Sequence, residues 1–483
     1  MNQLRIGAGD YGRLHAHLFQ PDRDEHGALL LAGQHHRLDG SVTLSVREVH
    51  LLQPDDFPPG VHGYRQISAA SLARLGNRAA DQNLALISAH SHPGSDERTG
   101  LSRDDLAAHE RLFTHLLDIT AADAVCGVAF GRRSAAGELW RADGRREPLD
   151  LVRIVGPNLE QFQMGPHTGG ARAEGRFDRQ IRLFGADGQA RLRNLHVGVV
   201  GAGGGGSILI EQLAHLGVGE ITAVDPDVTK EHNLSRIMGA SPRDARKHTK
   251  KVQLAKRLAG SIDPKVRFHA IEGDVADRVI AQRLLDCDYL FMATDTATAR
   301  LVVNAIGQSY LIPVIQIGAK VETRSTGAIE QIYTAVRPVL PRRGCLACAG
   351  LIDPTQLQHE AATAEERNNQ NYLGLSDIID PSVTTLNAAA AAGALNVFLM
   401  GVIGQADDEL LEHRITLTRD GSTLATEVER DLSCRWCGEH DRSRYGRSDL
   451  DLLPCRAPGS SGSATPAVRR RALLPLRRWL RDA

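Results

Sequence analysis

Residues 196–206 read HVGVVGAGGGG, and SILIEQLAHLG follows directly. The first five residues have the apolar make-up of a buried strand, and the second string has helical periodicity. Gly201, Gly203 and Gly206 thus form G-x-G-x-x-G between a strand and a helix. Glycine here lets the backbone approach phosphate, and the helix N-terminus that follows favours negative charge. Working outward, strand-like EITAVD, helical KKVQLAKRLAG, strand-like KVRFHAIEG, helical ADRVIAQRLLDC and strand-like YLFMATD continue the alternation. That rhythm predicts an α/β fold with a parallel, doubly wound sheet. Asp225 ends the second strand, 24 residues after Gly201, where a carboxylate binds ribose hydroxyls.

The N-terminal third follows a different plan. Residues 28–50 give two apolar runs around Asp39-Gly40, a hairpin signal. NLALISAHSHP reads as a buried strand whose end delivers His90 and His92, and DDLAAHERLFTHLLDI as a helix. Two imidazoles from a strand end and Asp105 from a helix start supply three zinc ligands and leave a fourth position open, as at catalytic zinc. The other reading of the HxH pair is a polar strand end. Residues 1–155 are expected to form one compact α/β domain, 156–175 a linker, 176–455 the nucleotide domain and 456–483 a basic, solvated tail.

Composition narrows the classes. Fifty-seven basic residues nearly cancel 58 acidic ones across 483 residues, and aromatics make up 4%. Neither a nucleic-acid surface nor a membrane field is favoured. No run approaches 18 consecutive apolar residues and the N-terminus lacks an apolar signal core, so a cytoplasmic protein is expected. Of seven cysteines, Cys345/Cys348 and Cys434/Cys437 form two C-x-x-C pairs, while Cys126, Cys287 and Cys455 stand alone. In a reducing compartment such pairs read as a metal knuckle, and a closed tetrathiolate set is structural.

The string HSHP…SxxD resembles the JAB/JAMM metalloprotease family, which cleaves bonds after ubiquitin-like C-termini. The resemblance implies a JAB/MPN-like domain in which His90, His92 and Asp105 bind Zn²⁺, Ser102 supports the oxyanion and an upstream glutamate is the base. Glu25, in EHGALLLAG, is the favoured base and Glu48, in VREVH, its rival. The spacer between His92 and Ser102 is slightly longer than the family's common form.

RFDRQIRLFG before the glycine strand, DPDVTKEHNLSR after it and FMATDTATAR further on complete a second constellation. A dehydrogenase has no need of N-x-x-R after its ribose carboxylate, whereas adenylation of a carboxylate needs arginines to neutralise triphosphate and pyrophosphate. Together these strings resemble the superfamily of ThiF, MoeB and ubiquitin-activating enzymes, whose Rossmann-like adenylation domain carries a four-cysteine zinc knuckle. By that resemblance Asp225 binds ribose, Asn233 and Arg236 contact phosphates, Asp295 holds Mg²⁺, and Arg179 reaches into the partner subunit of a homodimer. The family's lysine falls on Lys251, with Lys250 the alternative, although the glycine of its motif is here His248.

Between the two C-x-x-C pairs there is no cysteine, so the crossover thioester of some superfamily members is excluded. Either the chain only adenylates its partner, or a hydroxyl such as Ser376 accepts the acyl group. The combined expectation is a bifunctional enzyme using ATP, Mg²⁺ and two Zn²⁺ ions on a ubiquitin-like modifier. The fusion resembles bacterial ubiquitin-like conjugation modules, which implies a conjugating enzyme as a further partner and, by analogy, antiviral defence. Processing of a sulfur carrier to its thiocarboxylate is the competing enzyme reading. A non-catalytic scaffold and a dehydrogenase are the others.

Overall fold

The computed structural model describes residues 1–22, 24–58, 67–164, 175–323, 328–362 and 381–457. Ser376, half of the expected linker and nearly all of the tail lie outside them. The first layer system contains β1 (Gln3–Gly7), α1 (Ala8–Leu18), β2 (Gly27–His36), β3 (Val42–Leu51), α2 (Ala69–Gln82), β4 (Ala85–Ser91), α3 (Arg103–Thr120), β5 (Ala124–Phe130), β6 (Ala135–Arg141), β7 (Arg146–Pro148), β8 (Leu151–Val155) and β9 (Leu159–Gln163). The strands form one mixed sheet in the order β7-β6-β5-β4-β2-β3-β1-β8-β9. Alternate residues of β2 serve opposite faces: Leu30 packs with Leu14 and Leu18 of α1, and Leu29 and Leu31 pack with Leu75 of α2 and Phe113 of α3. The expected hairpin is β2–β3, with Gly40 in the left-handed region at its turn (φ +82°). The domain runs past residue 155, because β9 pairs with β8 and Phe162 joins the core, so the expected linker opens with a strand.

The second layer system contains α4 (Asp178–Asn194), β10 (His196–Val200), α5 (Gly204–Leu216), β11 (Glu220–Asp225), α6 (Pro242–Arg246), α7 (Lys251–Ile262), β12 (Arg267–Glu272), α8 (Arg278–Ala281), β13 (Tyr289–Met292), α9 (Ala297–Ser309), β14 (Val314–Thr323), β15 (Ile329–Val339), α10 (Pro354–Ala361), α11 (Thr384–Ile403), β16 (His413–Leu417) and β17 (Thr423–Thr426). The sheet order is β12-β11-β10-β13-β14-β15-β16-β17, parallel through β14 and antiparallel beyond. Chain direction across the sheet reverses between β10 and β13, and such a switch point opens a ligand crevice at the strands' C-terminal ends.

Helix α11 is not an unbroken apolar run, since Asn387 and Asn396 interrupt it, yet it is apolar over its whole length. It has 20 residues and a mean hydropathy of 1.8, long and apolar enough to cross a membrane by length and composition. Its Ala390, Ala394, Val397 and Phe398 pack with α5, β14 and β15, which fits a core helix touched on several sides. Phe398 is fully buried against Tyr289 and Phe291, and truncating such a ring to alanine costs about 3–5 kcal/mol.

The two layer systems are bonded to each other by buried polar groups. Arg5 donates to the carbonyls of Tyr310 (3.1 Å) and Cys287 (3.0 Å), Arg153 pairs with Asp288, and His35 Nε2 meets Asp286 at 2.9 Å. Arg47 donates to four carbonyls of the segment after Cys437: His440 (3.1 Å), Asp441 (3.3 Å), Ser443 (3.2 Å) and Tyr445 (2.6 Å). Arg342, three residues before Cys345, bonds Asp10 of α1 at 2.9 Å. Burying so many guanidinium groups is tolerable because each finds carbonyl or carboxylate acceptors.

Candidate functional site

The three glycines of the β10–α5 turn have three separate reasons. Gly201 has φ +93°, and a Cβ there would lie 2.6 Å from the Ala293 carbonyl oxygen at the end of β13. A Cβ on Gly206 would sit 1.8 Å from the Gly201 oxygen, so helix and turn pack too closely for any side chain. Gly203 faces open space, the side from which a phosphate approaches. Asp225 binds this turn from the neighbouring strand: its Oδ2 accepts from Ala202 N (2.7 Å) and its Oδ1 from Asp227 N (2.8 Å). Burial raises its pKa, against the pull of Lys251 and the two N–H donors.

Lys251 Nζ lies 2.6 Å from Asp227 and 3.9 Å from Asp225, whereas Lys250 pairs away with Glu272, so Lys251 is the lysine at the turn. His248 holds φ +48°, which explains why the related motif has glycine at that point. Asn233 is buried and its Oδ1 accepts from Lys230 N at 2.9 Å. Arg236 lies across the start of α5, its Cδ 3.4 Å from where a Gly204 Cβ would stand. Asp295 is exposed in the turn after β13, beside the glycine turn on the adjacent strand. Arg179 is not brought to this crevice. Its neighbour Gln180 bonds the His215 carbonyl at the far end of α5, about 17 Å of helix from Gly204.

Two further residues border the crevice without having been singled out in the sequence. Asn387 of α11 has its Nδ2 2.4 Å from the ideal Gly204 Cβ, so it covers the first turn of α5 together with Arg236. Glu360 of α10 accepts from Ala297 N and Thr298 N (2.8 Å each), capping α9 two residues after Asp295. Neither has a local signal. Both arrive from more than 60 residues along the chain.

In the N-terminal domain the side chains of His90, His92 and Asp105 converge. His90 Nε2 and His92 Nε2 are 3.0 Å apart, and each is 3.2 Å from an Asp105 oxygen. Zinc bound to such donors in a tetrahedron would separate them by about 3.3 Å. Burial opposes ionisation of Asp105, but hydrogen bonds to both imidazoles overrule it and hold the carboxyl well below its usual range. His92 is raised by Asp105, with a smaller contribution from the charge of Glu25. Glu25 is close because Gly27 pairs with His90 across β2–β4. Glu48 instead pairs with Leu31 and is held by Arg78 at 2.8 and 3.0 Å. Ser102 caps α3: its Oγ accepts from Asp105 N (3.1 Å), and Asp105 Oδ2 accepts from Ser102 N (2.7 Å). The long spacer folds back, placing Thr99 Oγ1 3.5 Å from His92 Nδ1.

The four paired cysteines meet, with Sγ separations of 3.8 Å (Cys345–Cys348), 3.8 Å (Cys345–Cys434) and 3.4 Å (Cys348–Cys437). The edge of a zinc tetrathiolate is about 3.8 Å, so the donor set and spacing fit that ion. Cys287 is a buried core thiol, its pKa driven far up by burial.

Comparison with known proteins agrees with the nucleotide half. The SAMP-activating enzyme E1 of Haloferax volcanii is 29% identical over 175 residues, 36% of this chain and 60% of that protein. The sulfur carrier protein ThiS adenylyltransferase of Bacillus subtilis is 30% identical over 198 residues, 38% of this chain and 57% of its own. Molybdopterin-synthase adenylyltransferase of Escherichia coli is 33% identical over 132 residues, 27% of this chain and 52% of its own. The chain thus spans between half and three fifths of these relatives' lengths. Among solved structures, E. coli MccB superposes with a TM-score of 0.46 at 20% identity, covering 56% of this chain and 75% of that one. The ThiF family profile matches residues 177–429, slightly over half of the sequence, and the chain belongs to the ThiF family.

Proposed function

We propose that the chain activates the C-terminal carboxylate of a ubiquitin-like protein by ATP-dependent adenylation. The observation that carries this is the convergence of the glycine turn, Asp225, Arg236, Lys251 and Asp295 at one switch point in a ThiF-family sheet. In this reading the ribose hydrogen-bonds to Asp225 and the triphosphate lies over Gly203 at the start of α5. Arg236 and Lys251 neutralise charge as the modifier's carboxylate attacks the α-phosphorus and pyrophosphate departs. Asp295 is the carboxylate suited to Mg²⁺, which when bound screens the phosphates. Asn387 closes the turn beside Arg236. Arg179, placed at the wrong end of α5 for its own crevice, would serve a second copy in a homodimer.

The N-terminal domain, in the same proposal, is a zinc peptidase or isopeptidase that trims the modifier or removes it from conjugates. His90, His92 and Asp105 have the spacing and donor chemistry for Zn²⁺, which when bound polarises the scissile carbonyl and its attacking water. Glu25 is the base, and Ser102 keeps Asp105 oriented while its hydroxyl proton stays free for an oxyanion. We place the protein in the cytoplasm, with ATP and reduced thiols at hand, alongside a conjugating enzyme in a bacterial, defence-related module. The absence of a cysteine between the C-x-x-C pairs supports a second reading, in which sulfide attacks the acyl carbon of a sulfur carrier's C-terminal adenylate, forming a thiocarboxylate and expelling AMP.

ATP–pyrophosphate exchange with a ubiquitin-like protein ending in diglycine tests the first half. Exchange is expected with the wild type and at least 100-fold less with Arg236→Ala, about 2.7 kcal/mol of transition-state stabilisation. Cleavage of a C-terminally extended modifier tests the second half, and His90→Ala/His92→Ala should abolish it while leaving exchange intact. No exchange with any such protein overturns the activation, and cleavage surviving the histidine changes overturns the peptidase.

A further inference from the structure

A third group of ligating side chains lies at the opposite end of the nucleotide-binding sheet from Gly203 and Asp295. His196 opens β10, Glu220 opens β11, and His269 is the third residue of β12. His196 pairs with Glu220, and Thr222 with His269, so the pleat brings His196, Glu220, Thr222 and His269 onto one face. Glu220 Oε1 is 2.8 Å from His269 Nε2 and 3.9 Å from His196 Nδ1. One donor atom from each of the three residues lies within 4.8 Å of the others.

The surroundings of these residues prepare them for a cation. Thr222 Oγ1 is 2.7 Å from His196 Nε2, so an imidazole that donates there turns the Nδ1 lone pair toward Glu220. Arg267 bonds the other carboxylate oxygen, Oε2, through its Nε at 3.1 Å and leaves Oε1 to the histidines. Metal-binding imidazoles and carboxylates are oriented by such outer hydrogen bonds. An ordinary surface ion pair between Glu220 and Arg267 would not need a second histidine aimed at the same oxygen.

The group borders a cleft of about 370 Å³ between the two layer systems. Its four arginines, Arg37, Arg153, Arg267 and Arg283, and the Met1 ammonium face Asp39, Glu220, Asp286 and Asp288, which leaves the lining one positive charge from balance, with that ammonium held on Asp39. Side chains of His196 and Glu220 are 13% and 20% exposed, against 41% for His269, which gives a site held from within and entered from the cleft.

The geometry points to a divalent transition-metal site formed by His196, Glu220 and His269, with its remaining coordination positions open to the interdomain cleft. Two imidazoles and one carboxylate suit Zn²⁺, Co²⁺ or Ni²⁺ and not the oxygen-seeking Mg²⁺ or Ca²⁺. The site is separate from the paired cysteines and from His90, His92 and Asp105, and does not depend on the activity proposed above.

Native mass spectrometry of the full-length chain titrated with Co²⁺ alone tests it, comparing wild type with His269→Ala. The expected result is one Co²⁺ fewer per chain in the variant at micromolar metal, with the same melting temperature before metal is added. Because only the difference is read, it holds whether or not the other two groups bind metal. Should His269→Ala melt lower than wild type, Glu220→Gln, nearly isosteric, makes the same comparison. Equal Co²⁺ stoichiometry in wild type and the folded variant overturns the proposal. So does a wild-type site that fills only at millimolar Co²⁺, the behaviour of an exposed histidine.

Discussion

The cysteine group and the His90–His92–Asp105 group gather donors in opposite ways. The sulfurs come from two segments separated by eighty-five residues, and Cys345 and Cys437 are buried within the core that holds Leu290, Val302 and Leu346. The histidines and aspartate come from sixteen residues of chain, one strand end and the helix after it. Four donors close a coordination sphere, while three leave a place for water and substrate. On the proposed function, the first arrangement would tie remote chain together, and the second would display reactivity on a frame that already stands without it.

The largest expected effect therefore falls on the cysteines. Cys434→Ser should lower the melting temperature by about 10 °C or more, or prevent soluble folding, because structural zinc contributes its binding energy to folding. Calorimetry showing wild-type melting would remove the tie from the comparison. An intermediate effect belongs to the domain junction. Asp288→Asn should cost about 3–5 kcal/mol in denaturant unfolding, since it leaves Arg153 and Arg5 without their buried counter-charge. Burial works against the Asp288 carboxylate, yet Arg153 and Arg5 hold it at about 2, below its ordinary 3.8. A lowered folded-state pKa means stability that is present above 3.8 and lost as the pH falls through about 2, and this acid limb should flatten in the variant. The smallest effect belongs to the open group. Ser102→Ala removes a helix cap and should cost only about 1 kcal/mol, and on the proposed peptidase activity it should slow cleavage far more than that loss of stability explains. If stability fell as steeply as it does for the cysteine change, the distinction between tie and display would collapse.

What the sequence discloses depends on how near along the chain the cooperating residues lie. Gly201, Gly203, Gly206, Asp225, His90, His92 and Asp105 were legible because short spacings on one strand, turn or helix constrain their geometry. The sequence favoured Lys251 over Lys250 and Glu25 over Glu48 without excluding the rivals, since each choice depends on an ion pair or strand register made across the fold. Asn387 and Glu360 carried no local pattern. Strand β9 was hidden in an apparent linker because its pairing with β8 and burial of Phe162 are tertiary facts. The apolar character of α11 was spread over 20 residues with Asn387 and Asn396 interrupting it, so a search for unbroken apolar runs passed over it.

The Arg47 side chain, fastened to four carbonyls of a loop from the other half, sets a rule of traffic. Gly27 of β2 lies beside His90, while His35 near the other end of the same strand meets Asp286, roughly 25 Å of extended chain away. The nucleotide turn lies in turn at the end of β10 remote from that junction. If the proposed function holds, these bonds oppose any swing of one pocket toward the other, and a modifier's tail would not pass directly between them. A modifier served by both pockets would have to leave and return. Its fate between visits would then be decided by whichever other protein it met while free.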